Sequence, residues 1–160
     1  MKNKGKMIAI IIVVLVVIGI AAFAVLNSGR KAITLEKFEE KAKENGYNIA
    51  DIQNDITDKE EVTGAKVAMS EDYSYIIRFY TLKDNDVANS FYNEQKEEIA
   101  KNKQEGNEPV EKSGENDSTY TLKSNGKYMY ISKIDNTILQ LTVNETEEQK
   151  VTEFIKKLGY

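Results

Sequence analysis

Hydrophobic and polar positions divide this chain at Leu26. Met7 to Leu26 reads MIAIIIVVLVVIGIAAFAVL, twenty residues without a charged side chain. As a helix rising 1.5 Å per residue this run spans about 30 Å, the thickness of a bilayer's hydrocarbon core. Its β-branched residues and Gly19 are tolerated in lipid because a helix satisfies its own backbone hydrogen bonds. The pattern predicts a signal anchor: a cytoplasmic basic tail over 1–6, a transmembrane helix over 7–26, a linker over 27–33 and an extracytoplasmic domain over 34–160. Lys2, Lys4 and Lys6 favour an inside N-terminus, although Arg30, Lys31 and Lys37 on the far side keep the bias modest. A second reading is a signal peptide cleaved near Ala24 and a secreted domain. Ala22-Phe23-Ala24 has the small-residue spacing for cleavage, but the apolar run exceeds the usual length of such segments.

Beyond the linker the periodicities are those of a small α+β domain. Thr34 offers an N-cap to a helix with Leu35, Phe38 and Ala42 on one stripe and Gly46 as its stop. Tyr47 to Ile56 places apolar residues at 49, 52 and 56, a helical interval broken by Asn and Asp, and leaves helix and strand both open. Ala65–Ser70 and Tyr73–Leu82 read as a β-hairpin, the second strand (YSYIIRFYTL) rich in aromatic and β-branched residues. Asp84-Asn85-Asp86 caps a helix from about Val87 to Lys103, with Val87, Ala88, Phe91, Tyr92, Gln95 and Ile99 toward a sheet. Gln104 to Ser118, polar and holding the only proline, reads as a mobile loop.

A three-stranded meander follows from Thr119 to Val143. Asn125-Gly126 signals a type I′ turn, which pairs Ser124 with Lys127, Leu122 with Met129 and Tyr120 with Ile131. That register gives the meander one apolar face, which Leu139, Leu141 and Val143 must share with Met129 and Ile131. That requires a three-residue second loop, Ile134-Asp135-Asn136, with Asn136 left-handed and Met129 opposite Leu141. A final helix carries the stripe Val151, Phe154, Ile155 and Leu158. Asn144 or Thr146 caps its start, Glu147 and Glu148 suit its positive end, Lys156 and Lys157 its negative end, and Gly159 ends it. The expected architecture is two layers, with an antiparallel sheet of hairpin plus meander packed by about three helices.

Charge and composition narrow the function. The net charge is −4, and without Lys2, Lys4 and Lys6 the rest of the chain stands at −7, which disfavours a nucleic-acid partner. The chain has no Cys and no His, which removes disulfides, thiolate metal sites and the common nucleophile–base pairs. Lys outnumbers Arg 20 to 2, with abundant Asn and Ile, a coding bias of AT-rich bacterial genomes. Ser124-Asn125-Gly126-Lys127 has the Ser-x-x-Lys spacing of penicillin-binding enzymes, but on a hairpin turn rather than at a helix start. Asp84-Asn85-Asp86 opens like a calcium loop yet has Asn89 and Gln95 where Gly and a bidentate acid are needed. The paired glutamates occupy solvated contexts, unlike the opposed carboxyls of a glycosidase. We therefore expect no catalytic residues, no cofactor and no metal.

What remains is a polar sheet face. The meander register puts Tyr128 and Tyr130 opposite the Met129 side, with Lys123, Gln140 and Thr142, and with Thr119 and Thr121, as neighbours. Such a face either binds a protein segment or a cell-wall glycan, since each ring offers flat apolar area and a hydroxyl, or is covered by a helix. Arg78, amid aromatic residues, stacks or pairs with an acid. The leading expectation is a membrane-anchored extracytoplasmic binding or interaction module at a bacterial cell surface. The alternatives are a non-catalytic regulatory or structural subunit of a membrane complex and, behind it, a carboxylate-dependent hydrolase.

Overall fold

From residue 29 to residue 160, the span that the computed structural model describes, the chain forms three helices and seven strands: α1 (Leu35–Glu44), β1 (Asn48–Asp51), β2 (Val62–Met69), β3 (Ile76–Leu82), α2 (Asn85–Ala100), β4 (Val110–Ser113), β5 (Asp117–Ser124), β6 (Lys127–Ile134), β7 (Thr137–Asn144) and α3 (Glu148–Leu158). The apolar run 7–26, with the expected membrane span and the cleavage site near Ala24, lies outside the described residues. Among the described residues no helix is long and apolar enough to cross a membrane.

The helices begin and end where the side chains dictate. The Thr34 hydroxyl accepts from the Lys37 backbone N–H at 3.2 Å, and the Asp84 carboxylate accepts from the Val87 N–H at 2.9 Å. Gly159 closes α3 in the left-handed region at φ 90°. The 3-10 turn Glu145–Glu147 leads into α3, whose N-terminus has no side-chain cap.

All seven strands join one antiparallel sheet in the order β1-β2-β3-β7-β6-β5-β4. The architecture is α+β, but the sheet is covered on both faces rather than one. Against α1 and α3 lie Ile77, Phe79, Leu139, Leu141 and Val143, packed with Phe38 of α1 and the α3 stripe. Phe38 stacks on Phe79, ring centroids 4.8 Å apart and 12° from parallel, a contact worth about 0.5–1.5 kcal/mol beyond its buried area. Against α2 lie Tyr80, Leu82, Leu122, Met129, Ile131 and Ile138, with Ala88, Tyr92 and Ile99 from the helix. Alternate residues of each central strand thus enter different cores, with Arg78, Gln140 and Thr142 as polar positions on the α2 side.

That second cover corrects the meander. The first turn is as expected: Ser124 pairs with Lys127 and Leu122 with Met129, and Asn125 and Gly126 both have positive φ, 56° and 69°. The second loop has two residues, Asp135-Asn136, with Asp135 the left-handed one at φ 49° and Ile134 opposite Thr137. Tyr130 therefore faces Leu141, and Met129 faces Thr142. The three-residue loop assumed a single apolar face. With a helix on each side, Leu139, Leu141 and Val143 are buried on the tyrosine face and nothing forces the odd register.

One segment left open is resolved, and one expected loop is corrected. Tyr47–Ile56 supplies the edge strand β1, where Ile49 pairs with Ala68, and then a 3-10 turn at Gln53–Asp55. The polar segment after α2 is partly strand: Pro109 precedes β4, which forms the opposite edge, as befits a residue with no N–H to donate. The chain leading into α1 is also packed, since the Asn116 amide donates to the Arg30 carbonyl at 2.7 Å and Ala32 and Ile33 rest against the α1 and α3 core.

Candidate functional site

Period-two alternation along β6 aims Tyr128 and Tyr130 at the face beneath α3. Their rings stack, centroids 6.4 Å apart and 24° from parallel, and only 6 % and 5 % of each residue remains exposed. The helix was one of the two fates foreseen for this face, and α3 does pack here: both tyrosines share a core with Val151, Phe154 and Ile155. Burial raises both phenols. Tyr130 is pushed up to about 12, and for Tyr128 the Thr152 hydroxyl works weakly in the opposite direction. Both remain neutral hydroxyl groups at ordinary pH.

Coverage by α3 is incomplete toward the β4 edge. There a groove of about 290 Å³ runs between the sheet and the helix, with Tyr128, Tyr130, Thr119 and Thr121 as its floor. Thr152 and Ile155 of α3 form the facing wall, and Val110 and Tyr160 bound it. Val110, 56 % exposed, is an unusually open apolar residue for this domain. The rim carries Arg30, Lys112 and Lys156, and no Asp or Glu lines the groove. Arg30 lies 3.4 Å from the Asp117 carboxylate, whereas among the described residues neither Lys112 nor Lys156 forms an ion pair.

The five residues expected on one face divide between two. Lys123 accompanies the tyrosines, being opposite Tyr128, but it is tied to Glu148 at 2.7 Å and stitches β5 to the start of α3. That pairing raises its pKa. Gln140 and Thr142 lie on the α2 face because of the two-residue turn. Gln140 donates to Gln95 at 3.0 Å, and Thr142 borders a separate hollow with Ser124 and Glu98. Arg78 also points to the α2 face, opposite Gln140, and makes no ion pair among the described residues.

Sequence reasoning did not single out Arg30, Lys112, Thr152, Lys156 or Tyr160. Two signals were available. Position 156 lies one helical turn after 152 and beside the buried Ile155, so both flank the α3 stripe. Val110 and Lys112 alternate as strand residues do, and strand character was not assigned there. The remaining chemical motifs have structural partners. Ser124 is buried, donating to the Asn102 carbonyl at 2.7 Å, and Lys127 donates to Asn144 at 2.6 Å, so the Ser-x-x-Lys pattern is a hairpin closure. A second groove of about 290 Å³, floored by Tyr80 and Phe91, has the exposed Asp58, Glu61 and Glu94 on its rim. Among the described residues no cluster of three or more acids is arranged to hold a metal ion. Comparison with models of protein families, with curated proteins and with solved structures finds no match to this chain, so its functional reading stands on the groove and the apolar run alone.

Proposed function

We propose that this protein is a membrane-anchored extracytoplasmic binding module, without catalytic activity, whose ligand site is the groove between β5, β6 and α3. The observation that carries the reading is the composition of that groove. Tyrosine and threonine hydroxyls, a largely apolar surface and two unpaired lysines converge in a concavity of about 290 Å³ over the sheet. The apolar run Met7–Leu26 supports the anchor, since twenty such residues match a bilayer and resist water. Tethering concentrates the module in a thin layer at the membrane, which favours weak ligands fixed there.

Fractionation of cells expressing the full chain tests the anchor. The protein is expected in the membrane pellet after alkaline carbonate, at full mass, with the domain removed by protease added from outside. Full-length protein in the soluble fraction, or a domain protected from external protease, would overturn the reading.

A further inference from the structure

The groove differs electrically from the surface around it. The chain is acidic overall, with 26 Asp and Glu against 22 Lys and Arg, yet the lining of this groove holds three cations and no acid. Lys156 and Thr152 also border the next hollow, where the outer surface of α3 turns acidic with Glu145, Glu148 and Glu153. The second groove has the reverse character, with three acids and, among the described residues, no cation. The positive charge is therefore local to the tyrosine-floored cleft. Two of its cations, Lys112 on the edge strand and Lys156 on the helix, line it from different elements and have no protein counter-ion among the described residues. Arg30 is held at one end by Asp117 and by the Asn116 amide on its carbonyl, so its guanidinium is placed before any ligand arrives.

Resting on the binding-module reading, we infer that the groove takes an anionic, polyhydroxylated unit, a sugar or polyol bearing a carboxylate or phosphate. The anion sits between Lys112 and Lys156, where each ammonium offers charge-assisted donors. The hydroxyls of the ligand meet Thr119, Thr121 and Thr152, and Val110 and Ile155 contact its carbon skeleton. The volume suits about one or two rings, so a longer polymer is gripped one unit at a time.

Calorimetric titration of the full chain in nanodiscs of neutral phosphatidylcholine tests this with four probes: oligogalacturonate, a poly(glycerol phosphate) oligomer, a neutral N-acetylglucosamine oligomer and an oligoglutamate peptide. Binding of either or both of the first two, weakened by salt, is expected, and the pair tells carboxylate from phosphate. Neither the neutral oligomer nor the peptide should bind comparably. Lys112→Gln and Lys156→Gln, both at exposed positions, should each weaken the anionic probe roughly tenfold while the tyrosine near-UV spectrum is unchanged. Equal binding of the neutral oligomer, stronger binding of the acidic peptide, indifference to both substitutions, or no binding of either anionic glycan would overturn the inference. A chain that inserts in membranes and binds neither anionic probe refutes this ligand class alone. A chain that binds one but fractionates as soluble refutes the anchor alone.

Discussion

Truncating Tyr130 separates what the groove binds from what holds the domain together. The ring is 5 % exposed and lies in the same core as Tyr128, Val151, Phe154 and Ile155. Replacing a buried aromatic side chain by alanine costs about 3–5 kcal/mol, from lost transfer energy and the cavity left behind. Set against a total stability of about 5–15 kcal/mol, Tyr130→Ala removes about a fifth of the fold's margin or more. Tyr130→Phe keeps the ring and deletes only a hydroxyl beside Thr119 and Ser132, a change of about 0.5–1.5 kcal/mol. In urea, with a slope of about 2 kcal/mol per molar, the alanine variant shifts the midpoint down by about 2 M and the phenylalanine variant by about 0.5 M. Far-UV circular dichroism of the full chain in detergent follows both. A midpoint for Tyr130→Ala within about 0.5 M of the parent would refute the packing of this ring beneath α3. Equal shifts for both variants would mean that the hydroxyl, not the ring, carries the stability. The consequence for function is practical. Lost binding in the alanine variant reports unfolding, so the informative substitution is the phenylalanine one, expected to keep the fold and weaken a hydroxyl-rich ligand by about two- to tenfold.

Other expectations follow from the turn and from the acid pairs. A Cβ at Gly126 meets nothing within 4 Å, so Gly126→Ala tests backbone strain alone: at φ 69° alanine costs about 1–2 kcal/mol, a fall in melting temperature of roughly 3–10 °C by thermal circular dichroism. An unchanged melting temperature would contradict the left-handed turn. Glu39 on α1 is held down at about 2 by Lys43, 2.5 Å away, and by Lys66 on β2. Because the folded state prefers the carboxylate, this contribution is complete above about pH 4.3 and is lost as pH falls toward 2. Glu39→Gln should flatten that part of the stability–pH profile, and an unaltered acid limb would show the pairing to be idle.

Legibility in the sequence followed the locality of each determinant. The α1 cap at Thr34, the α2 cap at Asp84 and the α3 stripe from Val151 to Leu158 depend on residues within one or two turns, and each was readable. So was the Asn125-Gly126 turn, because two adjacent left-handed residues are needed there. The Asp135-Asn136 turn was not, since its length depends on whether one face of the sheet is buried or two. Leu139, Leu141 and Val143 are equally at home in either arrangement until α1 and α3 are known to occupy the tyrosine side. The candidate site inherited that error. Tyr128, Tyr130 and Lys123 stayed together because the first turn fixes them, whereas Gln140 and Thr142 crossed to the other face with the second. Arg30, Lys112 and Lys156 meet only in three dimensions, from residues 82 and 44 positions apart, and no local pattern announces such a convergence.

The pairing of β3 with β7 has a consequence for how the chain is made. These neighbours are joined across some sixty residues, Ile77 with Leu141 and Thr81 with Thr137, while most other strand pairs close through short local connections. At synthesis rates of about 5–20 residues per second, β3 waits roughly 3–12 seconds for its partner to emerge. Throughout that interval the segment Tyr73–Leu82, rich in aromatic and β-branched residues, offers an open backbone edge to any other nascent strand. Quality control of this protein during biogenesis is therefore a matter of shielding one strand until the last hairpin arrives.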